Sequence, residues 1–390
     1  MVAAVRRGTP LRQVARDYNV DHTLVSRWVK RAGKQRLDRV CFDDVSSAPK
    51  RTKRTKLELE DRILELRQSL RDESPLGEYG PEAIHRALVE KGEPAPSPST
   101  IKRILRRRGA LDGKSRVRRK APPPGWYLPD VRDRLVELDS LDVIEDLKIE
   151  NGPLVDVLNL VELHGKRIRS WAVEGPFKSQ NTHVSLLEHW REHGLPGYVQ
   201  FDNATIFTGG MRHPDTLGTV VRLCLALGVT PVFAPVREHG LQNAVESANG
   251  RFQDKVWRRF HHASLSELQK RSRAYEEAYN LKNSRAIGEA PARRPFPQSP
   301  WLLLPSKTQG RVIFVRRSSE KGCVEILGRR HLVSEHWQHR LVRCELDLTL
   351  DELSFHGLRR AAHEEQPLLK KVSYSVPQKC AARINLRAPR

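Results

Sequence analysis

Three acidic residues of this 390-residue chain stand where strands and a helix would bring them together. Asp142 lies within LDVIEDLKI, Asp202 ends YVQFDN, and Glu246 follows the loop REHGLQNA at the start of a helical segment. The middle of a first strand, the end of a neighbouring strand and a helix start can converge on one edge of a mixed sheet. Carboxylates held together repel and raise one another's pKa unless a cation balances them. Mg²⁺ suits that role, being hard, satisfied by carboxylate oxygens and inclined to keep waters for a substrate. Two such ions ~3.5–4 Å apart can activate a nucleophile and stabilise the leaving oxygen in phosphoryl transfer. Singly, each acid has an ordinary explanation: Asp202-Asn203 as a turn, Glu246 as a solvent-facing helix start, Asp142 as one of a group with Asp139, Glu145 and Asp146. The ordered combination carries the weight.

The elements that must hold these acids follow from periodicity. LVELDSLDVIEDLKI, GPLVDVLNLVEL and KRIRSWAVEG read as three successive strands. HVSLLEHWREHG, TLGTVVRLCLALG and two long segments, 243–260 and 264–281, read as helices, with short strands YVQFDN and TPVFAPV between them. This order predicts a mixed α/β sheet covered by helices. Residues 310–360 hold five short β-rich runs, which predict a small C-terminal β-barrel, and residues 361–390 are expected to be a disordered basic tail.

The N-terminal third is different. Residues 9–31 read as two short helices around a turn at Tyr18–Val20, with Thr9 capping the first, Pro10 at its first position and Asp21 capping the second. Leu24, Val25, Trp28 and Val29 form the apolar face of the second helix, and His22, Thr23, Ser26, Arg27 and Lys30 face outward, the pattern of a DNA-reading helix-turn-helix. Residues 57–110 repeat the theme, with helices from Leu57 to Arg71, from Gly80-Pro81 to Lys91, and from Thr100 to Arg108 with Ser99 as cap. The basic run that follows, with Arg106, Arg107, Arg108, Arg118, Arg119 and Lys120, is suited to tracking phosphates by charge alone.

The charge map agrees. The chain carries 69 Lys and Arg against 47 Asp and Glu, net +22. Residues 1–120 hold 30 basic and 16 acidic residues, residues 121–300 hold 22 of each, and residues 301–390 hold 17 and 9. A neutral centre between two basic ends points to a polyanionic partner held around an acidic site. No apolar run suffices for a membrane span and the first residues show no signal core. The five cysteines, Cys41, Cys224, Cys323, Cys344 and Cys380, have neither disulfide-scaffold nor zinc spacing. A soluble, cytoplasmic, nucleoid-associated protein is expected.

With these blocks in view, the chain resembles bacterial insertion-sequence transposases with a retroviral-integrase-type catalytic core of RNase H-like fold. The likeness rests on LDVIEDLKI, QFDNATIFTGG and VREHGLQNAVESANGRF, with Asn203 and Phe207 in the second block and Asn249 in the third. YNLKNSRAIGEAPARRPF, from Tyr279, is similar to the tract that follows the core. Ala204 stands where many relatives have Gly, and the 43 residues between Asp202 and Glu246 make a longer spacing than usual.

The resemblance implies a DDE polynucleotidyl transferase. Asp142, Asp202 and Glu246 would bind two Mg²⁺ ions, with Mn²⁺ as a substitute, to cut a phosphodiester at an element end and join the freed 3′-OH to target DNA. Asn203, Asn249, Gln253 and His239 would lie against DNA near the site. Double-stranded DNA, as terminal repeats and as target, would be the partner of a dimer or larger homo-oligomer, with no membrane involved. Asp139 stays open as the first acid. Asp142 is favoured because it lies 20 residues before Glu162, taken as the counterpart of a common family Asp on the second strand; Asp139 has the opposite strand parity. Rival readings are an inactive or domesticated DNA-binding regulator and a metal-dependent nuclease that does not join.

The chain thus divides into a helix-turn-helix at 1–34, a basic linker at 35–56, a second helical DNA-binding module, helix-turn-helix or winged, at 57–110, a basic and Pro-rich linker at 111–128, a catalytic core at 129–290, a linker at 291–309, the barrel at 310–360 and the tail at 361–390.

Overall fold

The computed structural model describes residues 1–43, 55–111, 123–150, 152–209, 214–235, 238, 240–299 and 301–386. Arg118, Arg119, Lys120 and His239 lie outside the described residues. The chain divides into two units, Met1–Glu60 and Asp61–Arg390.

The first unit holds α1 (Val2–Arg6), α2 (Leu11–Asp17) and α3 (His22–Ala32). Val14, Ala15 and Val25 form its buried centre. The turn between α2 and α3 carries Asn19 at φ 48°, a left-handed position that Asn tolerates. Asp21 caps α3 by accepting from the Thr23 amide at 2.7 Å. The expected cap at Thr9 is not formed: α2 begins at Leu11, and Pro10 itself is the cap residue, without a side-chain bond.

The second unit opens with α4 (Leu57–Glu73, of which Asp61 onward belongs here), α5 (Pro81–Glu90) and α6 (Pro98–Arg107). Ile63, Leu66, Ile84, Leu88, Ile101, Ile104 and Leu105 are buried, one face from each helix. Arg62 joins α4 to Glu93 through two hydrogen bonds of 2.9 and 2.7 Å. The cap of α6 is Ser97 rather than Ser99, because Pro98 fits the first helical position and starts the helix two residues early.

The sheet comprises β1 (Leu138–Lys148), β2 (Leu154–Glu162), β3 (Ile168–Glu174), β4 (Tyr198–Phe201) and β5 (Thr230–Phe233). The helices among them are α7 (Pro129–Arg132), α8 (Ser179–His193), α9 (Thr205–Thr208), α10 (Thr219–Ala226), α11 (Asn243–Phe252), α12 (Leu265–Lys282) and α13 (Ser284–Gly288). Strands β6 (Trp301–Leu304), β7 (Arg311–Arg317), β8 (Cys323–Ile326), β9 (Arg329–Leu332), β10 (Leu341–Asp347), β11 (Glu352–Leu358), β12 (Leu368–Ser373) and β13 (Ala382–Asn385) complete the chain. The expected meander is present, β1–β2–β3 antiparallel, followed by parallel pairing of β4 to β1 and of β5 to β4.

The C-terminal region departs from expectation. No separate barrel stands there among the described residues. Strand β7 pairs in parallel with β5, Val232 opposite Ile313 and Phe233 opposite Phe314. One nine-stranded sheet results, in the order β12-β11-β10-β7-β5-β4-β1-β2-β3. The seam is filled by aromatic rings: Phe201 lies 4.7 Å from Phe207 and 6.0 Å from Phe233, which lies 5.3 Å from Phe314. Burial across the seam gives the two regions one core. The stretch expected to be a disordered tail also holds strands, β12 against β11 and β13 against β6.

The far edge of the sheet is closed by side chains of α12. Asn280 donates to the Ile168 carbonyl at 3.1 Å and accepts from its amide at 2.9 Å. Glu276 accepts from the Ser170 amide at 2.9 Å, and Gln269 donates to the Ala172 carbonyl at 3.0 Å. These groups belong to alternate residues of β3 and would otherwise be an open template for pairing. Residues after α11 also receive the helical module. Arg259 donates to the carbonyls of Arg71, Asp72 and Ser74 at 2.9, 3.0 and 2.5 Å, where α4 ends and leaves acceptors unpaired. No helix among the described residues is long and apolar enough to cross a membrane.

Candidate active site

Two parallel strands bring the first two acids level. Ser140 on β1 stands opposite Gln200 on β4. Asp142 and Asp202, each two residues further on, therefore stand level, Asp142 within β1 and Asp202 just past the carboxyl end of β4. Helix α11 lies over β1 and β2, with Val245, Ala248 and Phe252 buried against Ile144, Leu147, Val155 and Val157. Glu246, in its first turn, is exposed at the rim. Beneath the site Ser140 Oγ donates to Gln200 Oε1 at 3.4 Å, Gln200 Nε2 to the Tyr127 hydroxyl at 2.6 Å, and that hydroxyl to the Leu241 carbonyl at 3.1 Å. This buried chain ties β1 and β4 to the approach to α11.

The electrostatics register the convergence. Burial pushes the Asp142 carboxyl up to about 6, and the neighbouring charges of Asp202 and Glu246 add to the rise. Bonds from the Val143 amide and the Asn249 side chain oppose it. Burial also raises Asp202, against a 3.0 Å hydrogen bond from the Ala204 amide. Among the described residues no Lys, Arg or His forms an ion pair with any of the three. Unbalanced charge on carboxylate oxygens at a solvent-facing rim is the donor set that a hard divalent cation fits.

Asp139 belongs to a different assembly. It lies on the opposite face of β1, where Arg293 donates to both of its oxygens at 2.9 and 2.6 Å and Trp190 donates at 2.8 Å. Glu162 is 3.2 Å from the same guanidinium and 3.3 Å from His189. The ligand atoms of Asp139, Glu162 and His189 lie within 4.8 Å of one another, so on spacing alone they could hold a divalent ion. The guanidinium of Arg293 already supplies the positive charge. Burial works to raise the Asp139 carboxyl, but the charge and hydrogen bonds of Arg293 prevail and hold it below its ordinary value. The register also corrects one step of the sequence reading: Glu162 stands opposite Asp139, and the residue opposite Asp142 is Asn159.

The amides expected to face DNA are used within the protein. Asn249 donates to Asp142 Oδ2 at 2.7 Å and accepts from Asn159 at 2.7 Å. Asn203 donates to the Ala234 carbonyl at 2.5 Å and accepts from Arg316 at 2.8 Å. Gln253, where α11 widens into a π-helical turn, accepts from Arg258 at 3.1 Å. Sequence reasoning missed Asn159, although an Asn within the apolar run LVDVLNLVEL was a signal. It also missed Arg316, whose role depends on the β5–β7 pairing and leaves no local trace.

Residues 24–105 match a family described as a homeodomain-like domain. No curated protein sequence matches the chain. Among solved structures, the catalytic core domain of BIV integrase aligns at 16% identity over 36% of this chain and 80% of that one, with a TM-score of 0.26. A simian T-cell lymphotropic virus intasome in complex with PP2A regulatory subunit B56 gamma aligns at 13% identity over 67% of this chain and 87% of that one, with a TM-score of 0.32. At these scores the fold is read from the chain's own strand order.

The homeodomain-like match spans α3 and α6, the two basic helices. On α3, His22, Arg27 and Lys30 are exposed, Ser26 is half-buried, and the Thr23 hydroxyl donates to Asp21 in the cap. On α6, Ile101, Ile104 and Leu105 face the module's core while Lys102, Arg103, Arg106 and Arg107 face outward, and Arg108 follows. Arg108 pairs with Asp61 at 2.5 Å, so it is not given over wholly to phosphate.

Proposed function

We propose that the chain is a DDE-type polynucleotidyl transferase, an insertion-sequence transposase that cuts element-end DNA and joins the freed 3′-OH to target DNA. One observation carries this reading: Asp142, Asp202 and Glu246 converge from β1, β4 and α11, and among the described residues no basic side chain pairs with them. Bound there, two Mg²⁺ ions would lower the pKa of a water and offset the charge of a scissile phosphate.

The protein's own part is placement. Asp142 presents its oxygens from within β1 and Asp202 from the end of β4, and Glu246 closes the set from the first turn of a helix packed on β1 and β2. Asn249, fixed by Asn159, orients Asp142. Helices α3 and α6 offer exposed cations to DNA. Strand transfer exchanges one P–O bond for another, the target strand's 3′-oxygen leaving as the element's 3′-oxygen attaches, so no covalent protein intermediate is required. Two ends must be held at once, which calls for a dimer or larger assembly on DNA in the cytoplasm.

The test is labelled element-end DNA with supercoiled target in Mg²⁺ or Mn²⁺. Joined product is expected. Cleavage without joining would assign a nuclease, and binding without either would assign a DNA-binding regulator.

A further inference from the structure

Asn203 directly follows Asp202, and its side chain bridges two strands beyond its own. The Nδ2 group donates to the carbonyl of Ala234, just after β5, and Oδ1 accepts from Arg316 on β7. The strands are in register at this level, Phe201 opposite Phe233 and Phe233 opposite Phe314. Asp202 leaves β4 one residue after Phe201.

Arg316 has an unusual set of partners for a guanidinium. Besides Asn203, it donates to the carbonyls of Val315 at 2.9 Å, Glu325 at 3.3 Å and Phe233 at 3.4 Å, and it lies over the Phe314 ring at 5.2 Å. None of these acceptors is a carboxylate. A half-buried cation spent on three backbone carbonyls and one amide oxygen serves geometry. The planar fork of Arg can reach several acceptors in fixed directions, whereas the single ammonium of Lys cannot.

We propose that Arg316 is a positioning residue for the Asp202 carboxylate, acting through Asn203, so that the C-terminal strands complete the metal-binding site rather than merely adjoin it. The proposal rests on the reading of Asp142, Asp202 and Glu246 as metal-binding residues. Without the fork, Asn203 keeps its bond to Ala234 but loses the support that fixes its plane. The turn carrying Asp202 then loosens beside Asp142.

The experiment uses the full chain as Arg316→Gln, Arg316→Lys and Asn203→Ala, with Asp202→Asn as control. Mn²⁺ binding is followed by electron paramagnetic resonance, with thermal melting and the kcat and KM of end cleavage measured in parallel. Arg316→Gln and Asn203→Ala are expected to weaken Mn²⁺ binding about tenfold and to lower kcat while the KM for DNA stays unchanged. Arg316→Lys should keep the wild-type melting temperature within a few degrees and still show part of the loss, which separates positioning from folding. Wild-type Mn²⁺ affinity and kcat in Arg316→Lys and Asn203→Ala would overturn the proposal, as would losses that only follow melting temperature. If Asp202→Asn binds Mn²⁺ like the wild type, the metal-site reading itself fails and the proposal falls with it. A loss in Asp202→Asn alone removes the proposal and leaves that reading standing.

Discussion

Asn249 on α11 donates to the carboxylate of Asp142 on β1 across 2.7 Å, so the helix that carries Glu246 is fastened to the strand that carries the first acid. Asn159 completes the contact from β2, donating to Asn249 at 2.7 Å. Relative placement of two of the three acids thus depends on an amide chain crossing the sheet.

Replacing Asp142 with Asn should abolish Mg²⁺-dependent DNA cleavage while end binding in a gel-shift assay stays within about twofold. Stability should not fall. Burial and the charges of Asp202 and Glu246 already push this carboxyl up to about 6, so the neutral amide relieves repulsion. An increase of roughly 1–2 kcal/mol in denaturant unfolding at pH 7.5 is the expected scale after discounting for solvent screening.

Arg293 should behave in the opposite way. Arg293→Met leaves Asp139 and Glu162 buried side by side without their shared cation. Breaking a buried pair from one side costs about 3–5 kcal/mol, far more than a surface pair. Urea unfolding should show that loss. Asp139→Asn should lower stability yet retain cleavage per folded molecule; complete loss of cleavage with normal folding would transfer the first-acid role to Asp139.

Glu276 predicts a pH dependence. Burial pushes its carboxyl up from 4.5 to about 8, with Arg169 and the Ser170 amide opposing. The folded state therefore binds a proton that the unfolded state has released. Stability from this group is fully present below about pH 4.5 and declines as pH rises toward 8, by at most about 1.4 kcal/mol per pH unit. Glu276→Gln keeps an oxygen for the Ser170 amide and removes the titration. Its unfolding free energy should fall less steeply than the wild type between pH 5 and 8; parallel curves would refute the assignment.

The exposed arginines of α6 should contribute charge to DNA binding. Arg103→Ala and Arg106→Ala are each expected to reduce the slope of log affinity against log salt by about 1 if the residue meets a phosphate. Fluorescence anisotropy across a salt series measures this. Mn²⁺ binding at the acids should be unchanged, because both residues lie on the outward face of the helical module.

Much of the catalytic region was legible in the residues because its signals are local. The β1–β3 meander came from three apolar runs with turns between them, and the placement of Glu246 in a first turn came from the switch to helical periodicity at Asn243. Strand parity, a local rule, put Asp139 and Asp142 on opposite faces, but the comparison with Glu162 that favoured Asp142 was misplaced by three residues, since Glu162 pairs with Asp139 and Asn159 with Asp142. Pairing between distant strands was not legible. Nothing in RVIFVRRS distinguishes a barrel strand from one that docks on β5, since a short apolar run suits both. Residues 368–373 and 382–385 look irregular because no sustained apolar periodicity marks them, yet backbone pairing with β11 and β6 makes them strands. Asn203 and Asn249 read as DNA contacts because a polar side chain beside an acid suggests a substrate; their partners, Arg316 and Asn159, come from elements the local pattern could not bring near.

The join between β5 and β7 also bears on how the chain is made. Phe233 is translated 81 residues before its partner Phe314. At ~5–20 residues per second, that is an interval of roughly 4–16 s. During it, a nascent chain has an apolar strand with one unsatisfied edge, the form most prone to pairing with a neighbour. A fragment cut after the catalytic helices would remain in that condition permanently. The smallest fragment of this chain that stays soluble should therefore extend past the last strand of the sheet rather than stop where the acids do.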